Sequence, residues 1–292
     1  MRVVDSHLHL WDPSVLSYDW LDGDLDDTFA VEQLREDLIE DVDHQVAVFV
    51  QAGAARKQAL DEVRWVESIA HATGVVAIVA DARLDGGRRL RSHLDALVEH
   101  ELVVGVRHLL QGEKDGFARR PDFIEGAREL AARGLTFDAC VRHHQIPDVT
   151  ALAEAVPGLR IVLDHLGKPA IGTAEAPLAP SAEWLRDLHA LAQHPNVHVK
   201  LSGLPAESAG MIDEDQMFPF LDAAAEAFRE ERMLWGSDWP VSSADSTSPG
   251  GTLYIGAVRD DWCHTLLEWA QDRGLDPEKL FWSNAVRFYG IR

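Results

Sequence analysis

Apolar runs rich in β-branched residues alternate along the chain with segments whose apolar residues recur every three or four positions. The runs predict eight β-strands. The segments between them, such as the one with Leu60, Val63 and Val66, predict amphipathic helices. The predicted strands cover residues 3–11, 45–53, 75–83, 102–111, 136–142, 160–165, 197–204 and 233–241. Strands that alternate with helices form a parallel sheet, and eight such units favour an α/β fold of the (β/α)8 TIM-barrel type.

The chain length fits this architecture. Its 292 residues accommodate one barrel of ~250 residues with elaborated loops, so we expect a single TIM-barrel domain over residues 1–292. Long connections at 12–29, 205–216 and 242–256 follow predicted strands 1, 7 and 8, where barrel enzymes build substrate pockets. The alternative is an open doubly wound sheet, which usually carries a glycine-rich phosphate turn after its first strand. No such turn follows the first strand here, which favours the barrel.

The first predicted strand contains two histidines separated by one residue. Alternate side chains of a strand share a face, so we expect Asp5, His7 and His9 to point one way. Two imidazoles placed at i and i+2 can converge on one cation, because histidine is a common ligand of zinc-like metals. By itself this pair is weak evidence for a metal site. The polar residues that recur later in the chain strengthen that evidence.

Polar side chains follow the apolar runs at their C-terminal ends. The C-terminal ends of barrel strands meet at one mouth, where the active site lies. Buried charges without partners cost several kcal/mol, so a purely structural role for all of them is disfavoured. Besides His7 and His9, these strand-end residues are Arg107, His108, Arg142, His143, His144, Asp164, His165, Lys168, Lys200, Asp238 and Trp239.

The composition of the chain indicates which binding partners are disfavoured and which cellular compartment is expected. A formal net charge of −22 argues against nucleic acid or an anionic membrane surface as a partner. No apolar run approaches the ~18 residues of a membrane span, and the N-terminus lacks a signal-peptide pattern. Cys140 and Cys263 have no metal-motif or disulfide spacing, which predicts the reducing cytoplasm. A homo-oligomer is compatible with the sequence, which does not decide the oligomeric state.

Several motifs together resemble the amidohydrolase superfamily, and within it the branch of L-fuconolactonase-like sugar lactonases. The resemblance covers nearly the whole chain, and the motifs on strands 6 and 8 are its most specific part. The matching stretches are His7-x-His9, Tyr18-Asp19-Trp20-Leu21, and residues 105–111, 164–169, 200–204, 236–241 and 284–290. By this resemblance we expect a metal-dependent hydrolase of barrel type.

The resemblance implies a metal site made of His7, His9, His165 and Asp238. Three imidazoles and a carboxylate can hold one divalent ion, such as zinc, with a position left for water. The ion lowers the pKa of that water, and Asp238 takes its proton. In this reading, His165 and Asp238 are also catalytic residues.

The resemblance also implies substrate contacts. Arg107 and Lys200 are expected to bind the carbonyl oxygen, the developing oxyanion or sugar hydroxyls. The indoles of Trp11, Trp20 and Trp239 are expected to stack on a sugar face. Two further candidates are His108, which lies one position off the face set by Arg107, and Arg142, whose alternative role is a structural pair with Asp138. Asp164 is expected to face outward, and the roles of His143, His144 and Lys168 stay open.

The chain departs from the binuclear members of the superfamily, which use a lysine on strand 4 and a histidine on strand 5 for a second metal. Strand 4 here carries Arg107 and His108, and strand 5 places His143 off the face shared by Asp138 and Arg142. We therefore expect one metal ion at most. If the ion is dispensable, His165 and Lys200 would polarise the carbonyl and Asp238 alone would activate water.

These observations favour a hydrolase that opens a sugar lactone of the L-fuconolactone or L-rhamnonolactone type to the hydroxy acid. The alternative is a metal-dependent decarboxylase of an aromatic acid, which would also use His165 and Asp238. Its relatives often lack the full H-x-H motif, and they lack the stretch at residues 18–21. A third hypothesis, a non-catalytic sugar-acid binding protein, is disfavoured because the four metal-site residues are intact.

Overall fold

A computed structural model of the chain describes residues 1–173, 175–208, 213–244 and 259–292. Eight parallel strands lie side by side in chain order. Their bounds are β1 Arg2–Leu8, β2 His44–Val50, β3 Val75–Asp81, β4 Val103–Arg107, β5 Thr136–Ala139, β6 Ile161–Leu163, β7 Val197–Leu201 and β8 Met233–Trp235. A parallel bridge between Leu8 and Trp239 returns the last strand to the first. The predicted (β/α)8 barrel is therefore confirmed.

Helices alternate with these strands and cover the outside of the barrel. They are α1 Val31–Glu36, α2 Ala59–Thr73, α3 Arg88–Leu97, α4 Pro121–Ala132, α5 Ile146–Ala155, α6 Ala182–Ala192, α7 Glu214–Phe228, α8 Val241–Ala244, α9 Arg259–Asp272 and α10 Asn284–Tyr289. Local signals set several boundaries. Pro121 opens α4, the Ser181 hydroxyl accepts from the Trp184 amide at the start of α6, and Gly74 in left-handed conformation ends α2.

The core has two layers because both faces of the sheet are covered. Inside the barrel, a small cluster contains Val4, Val48 and Leu234, and Phe288 and Tyr289 of the C-terminal helix pack against it. The larger cluster lies between the strands and the surrounding helices. The C-terminal helix α10 thus contributes side chains to the barrel interior.

The register of β1 departs from the predicted alternation. Its pairing with β2 shifts between Asp5 and Leu8, as at a β-bulge. The Asp5 carboxylate accepts a hydrogen bond from Arg259 Nε of α9 at 2.9 Å, whereas His7 contacts side chains of the barrel interior. The expectation that Asp5 shares a face with His7 and His9 is wrong, because the bulge reverses the alternation between them.

Every predicted strand runs past the observed end of that strand. The largest difference is at β8, which ends at Trp235, and β6 ends at Leu163, two residues before its predicted end. Beyond β6 the chain turns through four consecutive residues with positive φ, His165 to Lys168, and beyond β8 Asp238 also has a positive φ. These turns orient polar side chains in directions that strand alternation does not describe.

The connections also differ in part from expectation. The loop after β1 is held by an antiparallel bridge between Trp11 and Phe29, and a short hairpin with strands Gly172–Thr173 and Ala176–Pro177 follows β6. Most of the predicted long connection at 242–256 lies outside the described residues, as do 209–212 of the connection after β7. Among the helices that the structure describes, none has the length and apolar character of a membrane span.

Gly126 tests how tightly α4 packs against the turn after β3. A Cβ added at Gly126 would overlap the Leu84 carbonyl oxygen and lie 2.8 Å from Leu90 Cδ2. Alanine is favoured over glycine inside a helix by ~0.5–1 kcal/mol, whereas overpacking costs about 1–3 kcal/mol. We expect Gly126→Ala to lower the free energy of unfolding in urea by about 1–2 kcal/mol. Gly158→Ala, with open space around its Cβ, is the control; equal stability of the two variants would contradict this packing.

Candidate active site

Three imidazoles and one carboxylate converge at the C-terminal mouth of the barrel. The Nε2 atoms of His7 and His9 are 3.2 Å apart. Asp238 Oδ1 lies 3.6 Å from His7 Nε2, 3.4 Å from His9 Nε2 and 3.7 Å from His165 Nε2. All four side chains are buried. The structure thus brings together the residues predicted to form the metal site, although they come from β1, the turn after β6 and the turn after β8.

The Nδ1 atom of each imidazole, on the side of the ring away from Asp238, contacts a neighbouring protein group. His9 Nδ1 donates to the Val50 carbonyl oxygen at 2.7 Å, which leaves its Nε2 with a free lone pair. His165 Nδ1 is 2.9 Å from the Ser202 hydroxyl. His7 Nδ1 is 3.0 Å from the Lys200 ammonium and 3.3 Å from Asp164 Oδ1. Such outer partners orient the ring and fix its tautomer in metal sites.

Two of these four residues have left-handed backbone conformations. The φ angles of His165 and Asp238 are 53° and 58°, values that cost a non-glycine residue ~1–2 kcal/mol. The surrounding structure supports both turns. Trp184 Nε1 donates to the Leu166 carbonyl at 2.9 Å, and the Ser242 hydroxyl donates to Asp238 Oδ2 at 2.9 Å. Strained backbone of this kind clusters at functional sites.

Burial sets the protonation states of the site. Burial lowers the pKa of His165 to about 4 and also lowers the pKa values of His7 and His9. Burial alone would raise the pKa of Asp238, but the interactions with His165 and His9 outweigh it and hold that pKa below its usual range. At neutral pH the site therefore contains neutral imidazoles and an ionised carboxylate, which are the forms that bind a metal ion.

The donor set fits one divalent cation. Ligand atoms at 2.0–2.1 Å around a tetrahedral zinc ion lie about 3.4 Å apart, close to the separations measured among His7, His9 and Asp238 and between His165 and Asp238. His7, His9 and Asp238 form one group of possible ligands, and His7, Asp164 and His165 form a second group that shares His7 with the first. The Lys200 ammonium already lies 3.0 Å from Asp164 Oδ1 and neutralises it. Among the described residues, the geometry therefore favours one metal position, at Asp238.

Beneath the imidazoles lies a buried ionic network. Lys200 Nζ is 2.5 Å from Asp138 Oδ2, 3.0 Å from Asp164 Oδ1 and 3.0 Å from His7 Nδ1. The Tyr289 hydroxyl donates to Asp138 Oδ2 at 2.8 Å. Lys200, Asp138 and Asp164 are fully buried. Lys200 therefore does not reach the cavity, and the expectation that it contacts the substrate carbonyl is corrected, because its ammonium is held by two carboxylates.

Arg107 lies between this network and the cavity. Its Nη2 donates to the Gln51 carbonyl at 2.6 Å, and its Nη1 lies 3.2 Å from His7 Nε2 and 3.7 Å from Asp164 Oδ2. Its Nε is buried and has no hydrogen-bond partner among the described residues. Arg107 also lines the cavity, so its guanidinium group lies beside the space for a bound molecule.

The cavity above these residues has a volume of about 390 Å³. Trp11 and Trp20 form one wall in edge-to-face contact, with ring centroids 5.2 Å apart. Trp20 is anchored by its Nε1, which donates to the Ala52 carbonyl at 2.7 Å. Residues that were not predicted also line the cavity, namely Ala52, Gly53, Leu109, Gln111, Cys140 and Val241, together with Lys168, whose role was open. The cavity thus combines aromatic faces with polar groups.

Three predicted substrate contacts lie away from this cavity. Trp239 is buried with its Nε1 donating to Asp37 Oδ2 at 2.5 Å, so its indole points toward the loop after α1. His108 packs against Phe117 and Phe123, with ring centroids 5.6 and 5.4 Å away, as its position off the face of Arg107 suggested. Arg142 is exposed and is not a lining residue, and its alternative partner Asp138 is bound by Lys200 and Tyr289 instead. His143 and His144 also lie outside the cavity lining.

Two residues that organise the site were missed from sequence. Asp164 was expected to face outward, which is wrong: it is fully buried beside His7, on the interior face that Val162 of β6 also occupies. The expectation inferred its direction from His165, which lies beyond β6 in a left-handed turn where the alternation no longer holds. Tyr289 lies in the matching stretch 284–290 but had no assigned role. The sequence feature that could have indicated its role is a tyrosine at the end of an apolar helix. The hydroxyl of a buried tyrosine usually needs a hydrogen-bond partner.

Comparison with known proteins reveals relatives along the whole chain. The sequence model of the family described as amidohydrolase matches residues 4–291. An L-fucono-1,5-lactonase of Burkholderia ambifaria is 30% identical over 294 residues, covering 99% of this chain and 95% of that protein. An L-rhamnono-gamma-lactonase of Scheffersomyces stipitis is 24% identical over 214 residues, covering 66% of this chain and 60% of that protein. A crystal structure of a Burkholderia multivorans amidohydrolase with bound zinc superimposes with a TM-score of 0.82 at 28% identity, covering 100% of both chains.

Lys200→Met tests the structural role of the ionic network. The substitution leaves Asp138 and Asp164 buried without their shared cation, and breaking a buried ion pair in this way costs about 3–5 kcal/mol. We expect the free energy of unfolding in urea to fall by that amount. Because Asp138→Asn removes one of the two orphaned charges, the double variant should recover at least about 1 kcal/mol. A Lys200→Met protein as stable as the wild type would contradict the network.

Gly203→Ala tests how His165 is positioned. A Cβ at Gly203 would overlap the imidazole of His165, and φ at this glycine is 66°. Gly274 has a φ of 67° and open space around it, so Gly274→Ala carries the same backbone strain without the clash. We expect imidazole ¹⁵N resonances of His165 to shift in Gly203→Ala only. The same His165 resonances in both variants would show that the ring is not held by this close approach.

Proposed function

This chain belongs to the amidohydrolase family and is a hydrolase, and we propose that it opens the ring of a sugar lactone of the L-fuconolactone or L-rhamnonolactone type to the hydroxy acid. The observation that carries this proposal is the convergence of His7, His9 and Asp238, with His165 Nε2 3.7 Å from Asp238 Oδ1, beside an aromatic cavity. Relatives of this chain are named L-fucono-1,5-lactonase and L-rhamnono-gamma-lactonase, and the cavity volume of about 390 Å³ accommodates a sugar lactone.

Asp238 is the general base in this proposal. It is ionised at neutral pH, and its Oδ1 faces the imidazoles, where a water molecule can be held. Asp238 takes a proton from that water as its oxygen attacks the lactone carbonyl carbon.

Arg107 stabilises the negative charge that develops on the carbonyl oxygen. Its guanidinium group lines the cavity, and its position is fixed by the Gln51 carbonyl and by Asp164. A preorganised donor of this kind contributes more in a buried site than in water, because it does not have to reorient during the reaction. Trp11 and Trp20, in edge-to-face contact, supply an aromatic wall beside which a sugar ring packs.

We propose that His7, His9, His165 and Asp238 bind one divalent metal ion, with zinc as the candidate because a related structure contains it. When bound, such an ion lowers the pKa of a coordinated water to about 7 and polarises a carbonyl group. The protein contributes the orientation of three neutral imidazoles through Val50, Ser202 and Asp164. One carboxylate and three neutral ligands leave a net positive charge beside the attacked carbonyl.

A panel of sugar 1,5- and 1,4-lactones, assayed by proton release, tests the reaction. We expect hydrolysis of at least one deoxy-sugar lactone, and Asp238→Asn should lower kcat by about 10²- to 10⁴-fold because the base is removed. The control is Asp272→Asn, an exposed carboxylate at the end of α9. Folded, metal-loaded protein that hydrolyses none of the lactones would refute the proposed function.

Elemental analysis of the purified protein tests the metal site. We expect about one divalent ion per chain, loss of that ion in His9→Ala, and retention in His71→Ala, which removes an exposed histidine of α2. Removal of the ion by a chelator should lower kcat, and added zinc should restore it. Undiminished turnover by metal-free protein would show that the ion is dispensable and that Asp238 acts without it.

A further inference from the structure

Lys168 lies on the same tight turn as His165. The turn is left-handed, with φ values of 53°, 54°, 73° and 52° for residues 165 to 168, and the Lys168 amide donates to the His165 carbonyl at 2.8 Å. In a turn closed by hydrogen bonds three residues apart, side chains at i and i+3 lie above one another. Both His165 and Lys168 therefore line the cavity.

The Lys168 ammonium makes a hydrogen bond within the protein and can make further ones. Its Nζ donates to Glu207 Oε1 at 3.0 Å, and among the described residues this is its one hydrogen-bond partner. An ammonium has three N–H donors, so two stay available to a molecule in the cavity. Glu207 follows β7, and Gln216 of α7 donates to the Gly172 carbonyl at 2.7 Å. The segments after β6 and β7 are thus joined, which fixes the lysine in place.

The proposed reaction needs a group in this position. Opening a lactone releases the ring oxygen as an alkoxide, whose conjugate acid is about as weak as water, with a pKa of about 15.7. Arg107 is assigned to the carbonyl oxygen, and Asp238 to the attacking water. Cys140 also lines the cavity, but burial raises the pKa of its thiol to about 11, and its Sγ donates to Gln111. Lys168 is the remaining cationic lining residue.

We propose that Lys168 is a further catalytic residue, whose ammonium binds the lactone ring oxygen and delivers a proton to it as the ring opens. This inference rests on the proposed lactone hydrolysis. It assigns the two cations that line the cavity to the two oxygens of the ester, Arg107 to the carbonyl oxygen and Lys168 to the leaving oxygen.

The step balances without a co-reactant. Asp238 takes one proton from water, the hydroxyl oxygen bonds to the carbonyl carbon, and the C–O bond to the ring oxygen breaks. The ring oxygen takes its electron pair from that bond and a proton from Lys168 Nζ. The proton on Asp238 then returns to the Lys168 amine, which restores both groups. The product is a hydroxy acid, which ionises in solution.

A pair of substrates that differ only in the leaving atom tests this role. The first is a sugar 1,5-lactone that the wild-type protein hydrolyses, and the second is its 1,5-thiolactone, in which sulfur replaces the ring oxygen. A thiolate leaves without protonation, because thiols have a pKa near 8.5. We expect Lys168→Met and Lys168→Gln to lower kcat/KM by about 10²- to 10⁴-fold on the lactone and by less than about tenfold on the thiolactone.

The control is Lys57→Met, which removes an exposed lysine and should leave both rates unchanged. Thermal melts identify variants that fail to fold, and the intact thiolactone rate shows that a variant retains its site. Equal losses on the two substrates, or no loss on either, would overturn the role of Lys168 while leaving lactone hydrolysis intact. Failure of the wild-type protein on every lactone would instead overturn the proposed function.

Discussion

The buried ionic network of Arg107, Lys200, Asp138 and Asp164 is the constraint on which the site depends. Two cations and two carboxylates balance in charge, and Lys200 and both carboxylates have no exposed surface. Removing one partner of such a set leaves an uncompensated buried charge, which costs several kcal/mol. The four residues belong to four consecutive strands or strand ends, β4 to β7, so the network fixes these ends relative to one another. It also positions His7 through Nδ1, so that His7 Nε2 faces Asp238.

The strained turns after β6 and β8 are the second feature that shapes the site, together with the buried ionic network. His165, Lys168 and Asp238 have left-handed backbone conformations that ordinary residues avoid, and each carries a side chain into the cavity. Hydrogen bonds to Trp184, Ser202 and Ser242 hold the turns in place. The barrel strands therefore bring these residues to the mouth, and the turns orient their side chains into the cavity. For this reason the polar site residues lie beyond the last paired residues of β6 and β8.

The alternation of apolar runs and helix-period segments determined the fold class, because a strand buried on both faces and an amphipathic helix leave different repeats in the chain. The sequence also determined His7, His9, His165 and Asp238 as one group. Each follows an apolar run, and the C-terminal ends of barrel strands necessarily meet. The family resemblance implied that Trp11, Trp20 and Arg107 contact the substrate, and the structure places all three at the cavity.

Only the tertiary structure decided which way the other polar side chains point. Strand alternation predicts direction only while the strand continues, so it failed for Asp5 at the bulge in β1 and for His165 in the turn beyond β6, from which the direction of Asp164 had been inferred. It also could not show that Lys200 is enclosed by carboxylates from neighbouring strands, or that the Trp239 indole turns toward Asp37. These outcomes depend on contacts between residues far apart in the chain and on backbone angles that periodicity does not encode. A short left-handed turn, which no hydrophobic pattern marks, places Lys168 beside His165.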